Sequence, residues 1–481
     1  MKRTYCNPLS IENVDSGRAL DASLEKISDL RTLRDYRSIS DPSVVYHDGK
    51  WIMYPSYSMA YVSENFVDWK RVDIGIHDVG YSPAIVNFRG KWYLCGRDTK
   101  MYVSDSPLGP FTFLDTIVDK DGNPLSTPDA CFLADGDRLY IYFHIAPRNE
   151  KGNTVTTTVG AECDPDRPWR LITDLAIINK FDPSKVWQRF GEHNENELLG
   201  YVEGQWMIKI GSRYYLLYSG SGTAYGSYAN GVAYSDEGPL SGFKAQVNHD
   251  PFTEKRHGYL RGAGHGCIVE GPNNTYWTFY TSIFNYNFKF ERRIGMDPVG
   301  IDEDGELYCP AVTDTPQFAP GVLERPELGN GAGLLPLTFV LPTHEVSSAL
   351  PGRDGIYALD DSVLTFWQPT EDDPEKTLTV TLNARQGYYV SAVRIVWRDI
   401  GMETLDGIDP GPFKYVVEYQ APEGGEWLTL IDASENERDL CVDYRETETV
   451  KARKLRLRIL GAPRGIQAAV SNFTAFGRIA Y

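Results

Sequence analysis

The feature that most constrains this chain is a degenerate repeat. Five times it runs a strand, a turn rich in Gly or Asn, an aromatic strand and a later strand. The copies are "DPSVVYHDGKWIMYPSYSMAYVSENFVDWK" from Asp41, "SPAIVNFRGKWYLCGRDTKMYVSDSPLGPF" from Ser82, "PDACFLADGDRLYIYFHI" from Pro128, "EGQWMIKIGSRYYLLYSG" from Glu203 and "GHGCIVEGPNNTYWTFYTS" from Gly264. Sheet-forming units of roughly 40 to 70 residues that recur in this way predict a β-propeller. A sandwich would not explain why the same turn, G-K-W, R-Y-Y or T-Y-W, returns in each copy. The aromatic excess, 30 Tyr, 20 Phe and 10 Trp, suits strands and sugar-binding surfaces alike.

Ahead of the first repeat, Leu20, Leu24, Ile27, Leu30 and Leu33 recur at helical spacing. They predict an amphipathic helix packed on the propeller's flank. Near residue 335 the repeat stops in a Gly- and Pro-rich stretch, "LERPELGNGAGLLPLTFVLP". Beyond it, "KTLTVTL", "VSAVRIVW", "KYVVEYQ" and "KLRLRIL" alternate between turn residues, as half-buried strands do. The expected fold is therefore all-β: a five-bladed propeller over 1–335 and a β-sandwich over 336–481.

A net charge of −18 disfavours nucleic acid, which requires a basic patch. The seven cysteines are scattered, odd in number and without metal-ligand spacing, as expected of reduced thiols. The N-terminal "MKRTYCNPLS" has no apolar signal core, and no stretch is long enough to span a bilayer. As written the chain is expected to be cytoplasmic; it would be secreted if a leader had been removed. The sequence gives no oligomeric state.

In a propeller the innermost strand of each blade begins near the central axis. The first residues of the repeats then converge: Asp41, Tyr81 or Ser82, Asp129, Glu203 and His265. Three acids around one axis are costly for stability, so their meeting points to chemistry. Glycoside hydrolysis uses two carboxyl groups, one protonated and one ionised. Glu203, three residues before the apolar Trp206, fits the protonated acid; Asp41 fits the ionised partner, and a third acid would hold Glu203 protonated by repulsion.

On these residues the first 325 or so positions resemble glycoside hydrolase family 43. The matching stretches are "SISDPSVVYHDGKW", "STPDACFLADGDRLYIY" and "YVEGQWMIKIGSRYYLLYS", with "YCNPL", "QRFGEHNEN", "RGAGHG" and "ERRIG" in support. The resemblance implies a five-bladed propeller with Asp41 as general base, Glu203 as general acid and Asp129 as the residue that tunes Glu203. The third-blade stretch is one residue shorter than the family's pattern, which leaves Asp135 and Asp137 as alternatives to Asp129. The implied activity is an inverting, exo-acting hydrolase releasing terminal pentosyl units of α-L-arabinofuranosyl or β-D-xylosyl type from plant-type oligosaccharides. A galactosyl or galactofuranosyl hydrolase and a non-catalytic carbohydrate-binding propeller are the alternatives. Tyr81, Trp206 and Tyr225 are candidate platforms for sugar rings. Arg292, with Arg293 beside it, and His265 are candidates for substrate contact or for pairing with the acids. No cofactor is expected for the chemistry; a structural cation would be calcium, with His265 as its indirect neighbour. The tail, from "YALDDSVLTFWQP" to "FTAFGR", resembles the discoidin-like, galactose-binding sandwich of coagulation-factor type C and family 32 carbohydrate-binding modules.

Overall fold

The computed structural model describes residues 3–12, 38–56, 59–76, 79–96, 99–150, 152–284, 291–339, 343–400, 412–463 and 465–480. The amphipathic stretch around Leu20–Leu33 lies outside these residues. Among the described residues helix is confined to short 3₁₀ turns, such as Val186–Gln188. None is long and apolar enough to cross a membrane. All seven cysteines are free.

Five antiparallel sheets follow one another along the chain and make the blades. Blade 1 runs Ser43–His47, Lys50–Tyr54, Met59–Ser63 and Lys70–Asp73. Blade 2 runs Ala84–Phe88, Lys91–Cys95, Lys100–Ser104 and Thr112–Thr116. Blade 3 holds Cys131–Asp135, Arg138–Ile145, Thr157–Asp164 and Arg167–Leu171, with Ala176–Lys180 also paired to its third strand. Blade 4 runs Glu203–Ile210, Arg213–Gly220, Ala229–Ser235 and Lys244–Ala245, and blade 5 Arg261–Glu270, Tyr276–Ile283, Arg292–Ile301 and Leu307–Tyr308.

The recurrent turn has a local cause. In blade 1 Asp48 and Gly49 have φ of 50° and 78° between the paired His47 and Lys50. In blade 2 Arg89 and Gly90 have φ of 50° and 77° between Phe88 and Lys91. Two consecutive left-handed residues make the hairpin turn whose twist matches the strands.

Apolar side chains then cement each blade to the next. Ile52 and Tyr54 of blade 1 pack with Ile85 and Leu94 of blade 2, and Val86 of blade 2 with Ile141 of blade 3. Tyr142 of blade 3 packs with Leu216 of blade 4, and Leu217 of blade 4 with Ile268 of blade 5. Trp51 and Trp69 of blade 1 meet Trp277 and Phe279 of blade 5, which closes the ring. Thr4–Tyr5 pairs with Gln317–Phe318 beyond blade 5 and ties the two ends of the propeller together.

The remaining strands form two facing sheets. One holds Leu335–Pro336, Gln467–Ile479, Tyr388–Ile400 and Val442–Ala452; the other holds Thr343–Val346, Thr377–Thr381, Lys454–Gly461, Lys414–Gln420 and Leu428–Ala433. Their inner faces share one core around Trp367, Trp397, Val417 and Leu457. This sandwich packs closely on blade 5, where Val363, Val396 and Val442 join Tyr259, Leu260, Tyr280 and Phe284 in one buried cluster. Arg394 reaches out of the sandwich, donates to the Asp314 carbonyl at 2.7 Å and lies 3.9 Å over the Tyr259 ring.

Candidate active site

The first strand of each blade carries the same backbone conformation just before or within its first half. Asp41, Ser82 and Asp129 stand two residues before Ser43, Ala84 and Cys131, with φ of 54°, 52° and 51°. Gly204, at 64°, and His265, at 36°, hold the equivalent turns in blades 4 and 5, where bulges interrupt pairing after Glu203 and around Gly264. Left-handed non-glycine residues carry strain and collect at working sites. Gly204 has no alternative: a Cβ there would stand 2.8 Å from the His265 ring.

Asp41 is buried and held through both oxygens. Its Oδ2 accepts from Ser40 Oγ at 2.9 Å and Ser56 Oγ at 2.5 Å. Its Oδ1 accepts from Arg292 Nη1 at 3.1 Å and lies 3.4 Å from His265 Nδ1. Its amide donates to Thr281 Oγ1, which in turn donates to the His265 carbonyl. Burial alone would raise the pKa of Asp41, but the Arg292 guanidinium, His265 and the two serine hydroxyls outweigh it and hold the carboxyl below the usual range.

Glu203 meets the opposite environment. Burial, and then the Asp129 and Asp41 charges, push it up to about 8, against the lowering pull of the Tyr228 hydroxyl and Arg292. Asp129 Oδ2 accepts from the Gly204 amide at 3.3 Å and lies 3.5 Å from His144 Nδ1. Ligand atoms of Asp129, His144 and Glu203 all lie within 4.8 Å of one another. Burial, the largest influence, lowers the His144 pKa, and the nearby His265 adds to this against the pull of Asp129, so His144 favours its neutral form. Two carboxyls at one axis are thus driven apart in pKa by their surroundings, the arrangement that separates an acid from a base.

Asp41, Asp129, Glu203, His265 and Arg292, expected from the sequence, come together here. Asp135 and Asp137 do not: they stand at the far turn of blade 3, Asp135 paired with Lys209 at 2.9 Å and Asp137 with Arg89 at 3.6 Å. Arg292 and Arg293 divide their tasks, Arg292 taking Asp41 and Arg293 taking the buried Glu291 at 3.0 Å. Tyr81 is half-buried beside Ser82, whose amide donates to Ser56 Oγ. Tyr225 packs edge-on against Phe190, with centroids 5.0 Å apart, in the loop that brings Thr223 Oγ1 to Arg292 Nη1 at 3.0 Å.

Trp206 requires a correction. It was expected both to raise the Glu203 pKa and to face a sugar. Its indole instead lies sideways between blades 4 and 5, where Nε1 donates to the Ile268 carbonyl at 2.9 Å and the ring joins the inter-blade core. The causes that raise Glu203 are burial and the neighbouring acids.

The sequence reading missed Ser56, His144, Thr223 and Tyr228. His144 is the penultimate residue of the second strand of blade 3 and Tyr228 just precedes the third strand of blade 4. The ends of second strands return to the axis as first strands leave it, so "YFHI" held a usable signal; the loop residues Ser56 and Thr223 held none.

Calcium takes six to eight oxygen ligands. Beside His265 the carboxylate at hand, Asp41, is already held by Arg292, Ser40 and Ser56. These residues do not make an oxygen cage for calcium.

The family model for glycosyl hydrolases family 43 matches residues 59–307, from the third strand of blade 1 to the end of blade 5. The chain belongs to glycosyl hydrolases family 43. It is a glycoside hydrolase, and its substrate is a carbohydrate. Among solved structures, a thermostable family-43 glycoside hydrolase is 22% identical, with a TM-score of 0.51 over 66% of this chain and 99% of that one. A xylan beta-1,4-xylosidase from Bacillus Halodurans C-125 is 14% identical, with a TM-score of 0.46 over 98% of this chain and 100% of that one. No curated protein matches the sequence. The likeness to the thermostable hydrolase is one of fold.

Proposed function

We propose that this family 43 hydrolase is an inverting, exo-acting glycosidase that releases terminal α-L-arabinofuranosyl or β-D-xylosyl units from plant-type oligosaccharides. The observation that carries the mechanism is the split between its carboxyls: Glu203 is pushed up to about 8 while Asp41 is held low. At neutral pH one is an acid with a proton to give and the other a base able to take one.

Two serines occupy Oδ2 of Asp41 and Arg292 one side of Oδ1. A water would be oriented beside Oδ1 and His265, whose Nδ1 stands 3.4 Å from that oxygen. In the proposed step Asp41 takes a proton from that water and the water oxygen attacks the anomeric carbon. The bond to the leaving oxygen breaks, and the Glu203 proton passes to that oxygen. One displacement inverts the centre. Asp129 keeps Glu203 protonated until then, and its acceptance from the Gly204 amide fixes the turn that aims Glu203. Side chains alone move the protons.

Exo-action is supported by the loops over the axis. The Glu192 carboxylate accepts from the Gly226 amide at 3.0 Å and pairs with Arg261 at 3.3 Å, while Phe190 packs on Tyr225. Two loops tied in this way to the start of blade 5 favour a closed-ended pocket over an open cleft. Preference for a pentosyl unit rests on the family resemblance. For the sandwich we propose a bracing role, supported by the cluster it buries against Tyr259 and Phe284.

The test is a panel of nitrophenyl glycosides, followed by proton NMR of the first product. Turnover of an arabinofuranoside or xyloside with inverted configuration is expected. Glu203→Gln should lose at least about 100-fold on oligosaccharides and less on substrates with good leaving groups. Retention of configuration, or a preference for a galactosyl unit, would overturn the corresponding part of the reading.

A further inference from the structure

Behind Glu203 lies a group that none of the preceding steps uses. Tyr228 is wholly buried, and its hydroxyl stands 3.2 Å from Glu203 Oε1 and 3.0 Å from Ser219 Oγ. Ser219 Oγ is itself 3.0 Å from the Glu203 carbonyl oxygen. The phenol has little room to move: its ring lies against Gly264, where a Cβ would come within 2.3 Å of it. The cluster is therefore built around the carboxyl, with the aromatic ring clamped between the second and third strands of blade 4 and the bulge of blade 5.

Each hydroxyl has one proton to donate. If Ser219 donates to the Glu203 carbonyl, Tyr228 can turn its proton to Ser219 and accept the acid's own proton on its oxygen. That proton would then be parked away from substrate. If the phenol instead donates to Oε1, Glu203 must carry its proton on Oε2. The second arrangement leaves the proton free for a leaving group. It also gains as the reaction proceeds, because a hydrogen bond to a carboxylate is about twice as strong as one to a neutral acid.

We propose that Tyr228 is a positioning residue for proton transfer: it donates to Oε1 of Glu203, keeps the transferable proton on Oε2 and stabilises the carboxylate that forms as the bond breaks. The inference rests on the assignment of Glu203 as the acid. It adds a contribution present mainly in the transition state, the kind that raises kcat rather than lowering KM. Burial first, then the Glu203 and Asp41 charges, raise the phenol's own pKa, so it remains a donor throughout the working range. The other charged or titratable groups around Glu203 are Asp129 and His144 from blade 3, Asp41 from blade 1, and His265 and Arg292 from blade 5. None of these contacts is made by the phenol hydroxyl, so removing that oxygen isolates its effect.

The experiment is Tyr228→Phe on the full chain, with kcat and KM measured across pH on an oligosaccharide and on a nitrophenyl glycoside. On the oligosaccharide kcat should fall by roughly ten- to a hundredfold with KM little changed. The nitrophenyl glycoside, which needs less protonation, should lose less. The alkaline limb of kcat/KM should move up, because the donor that lowers the Glu203 pKa has gone. Equal losses on both substrates with an unmoved limb would reduce Tyr228 to a packing residue and overturn the proposal. Glu203→Gln, run alongside, separates the two claims. If it retains oligosaccharide turnover, the acid assignment fails. If it is inactive while Tyr228→Phe matches wild type, only the present inference fails. Should Tyr228→Phe not fold, Ser219→Ala removes the hydroxyl behind the phenol. It should move the same limb upward by a smaller amount, and a limb that stays or falls would overturn the proposal.

Discussion

Replacing Asp129 with Asn removes one negative charge from beside Glu203 at almost constant volume. The two side chains present oxygens within 4.8 Å of each other. At an effective dielectric of about 20, unit charges 4.8 Å apart interact by about 3.5 kcal/mol, which sets the scale of the effect at roughly 2.5 pH units. Burial is the larger cause of the rise of Glu203 from 4.5 to about 8, and Asp129 is the next. The alkaline limb of kcat/KM should therefore fall by about one to two pH units, to roughly pH 6 to 7. The sign follows from the role: Glu203 must be protonated to act, so a lower pKa removes activity from the alkaline side. At pH 7 titration alone would cost about two- to tenfold, and activity should recover toward pH 5. The assay is kcat/KM from pH 4 to 9 on the aryl pentoside turned over fastest, with stability checked at each pH. An equal loss at every pH with the limb in place would refute the argument. Asp129 would then act through the Gly204 amide, or on substrate, and not through its charge on Glu203.

Arg292→Met should act on the other limb. Asp41 would lose the cation that holds it low, so the acid limb should move up; an unmoved acid limb would remove Asp41 as the base. Arg394→Met should destabilise the whole protein by about 2 to 4 kcal/mol, since it forfeits a charge-assisted bond to the Asp314 carbonyl and the contact over Tyr259. Urea unfolding followed by Trp fluorescence would read this as a lower midpoint, and an unchanged midpoint would show that the sandwich does not brace blade 5.

Much of the architecture was legible because it follows from local rules. A turn such as Asp48-Gly49 or Arg89-Gly90, between alternating apolar residues, forces a hairpin wherever it occurs, and five hairpin units in series have few ways to bury their faces. Once the units are arranged around an axis, the starts of the first strands must meet, so Asp41, Asp129, Glu203 and His265 are identifiable from the sequence. Trp206 shows where proximity in sequence misleads. The bulge after Glu203 and the sideways orientation of the indole send the two side chains to different neighbours, Glu203 to the axis and Trp206 to the Ile268 carbonyl of the next blade.

The sequence by itself determined the repeat, the turns and the set of acids that point inward, because backbone preference and strand alternation act over a few residues. The tertiary structure decided which acid is held protonated and which ionised. That depends on Arg292 reaching Asp41 from blade 5, on Asp129 lying beside Glu203 from blade 3, and on Tyr228 standing behind Glu203. It also decided that the sandwich lies against Tyr259 and Phe284 of blade 5. Charge interactions and desolvation depend on distances of a few ångströms between segments tens to hundreds of residues apart, and only the closed ring sets those distances.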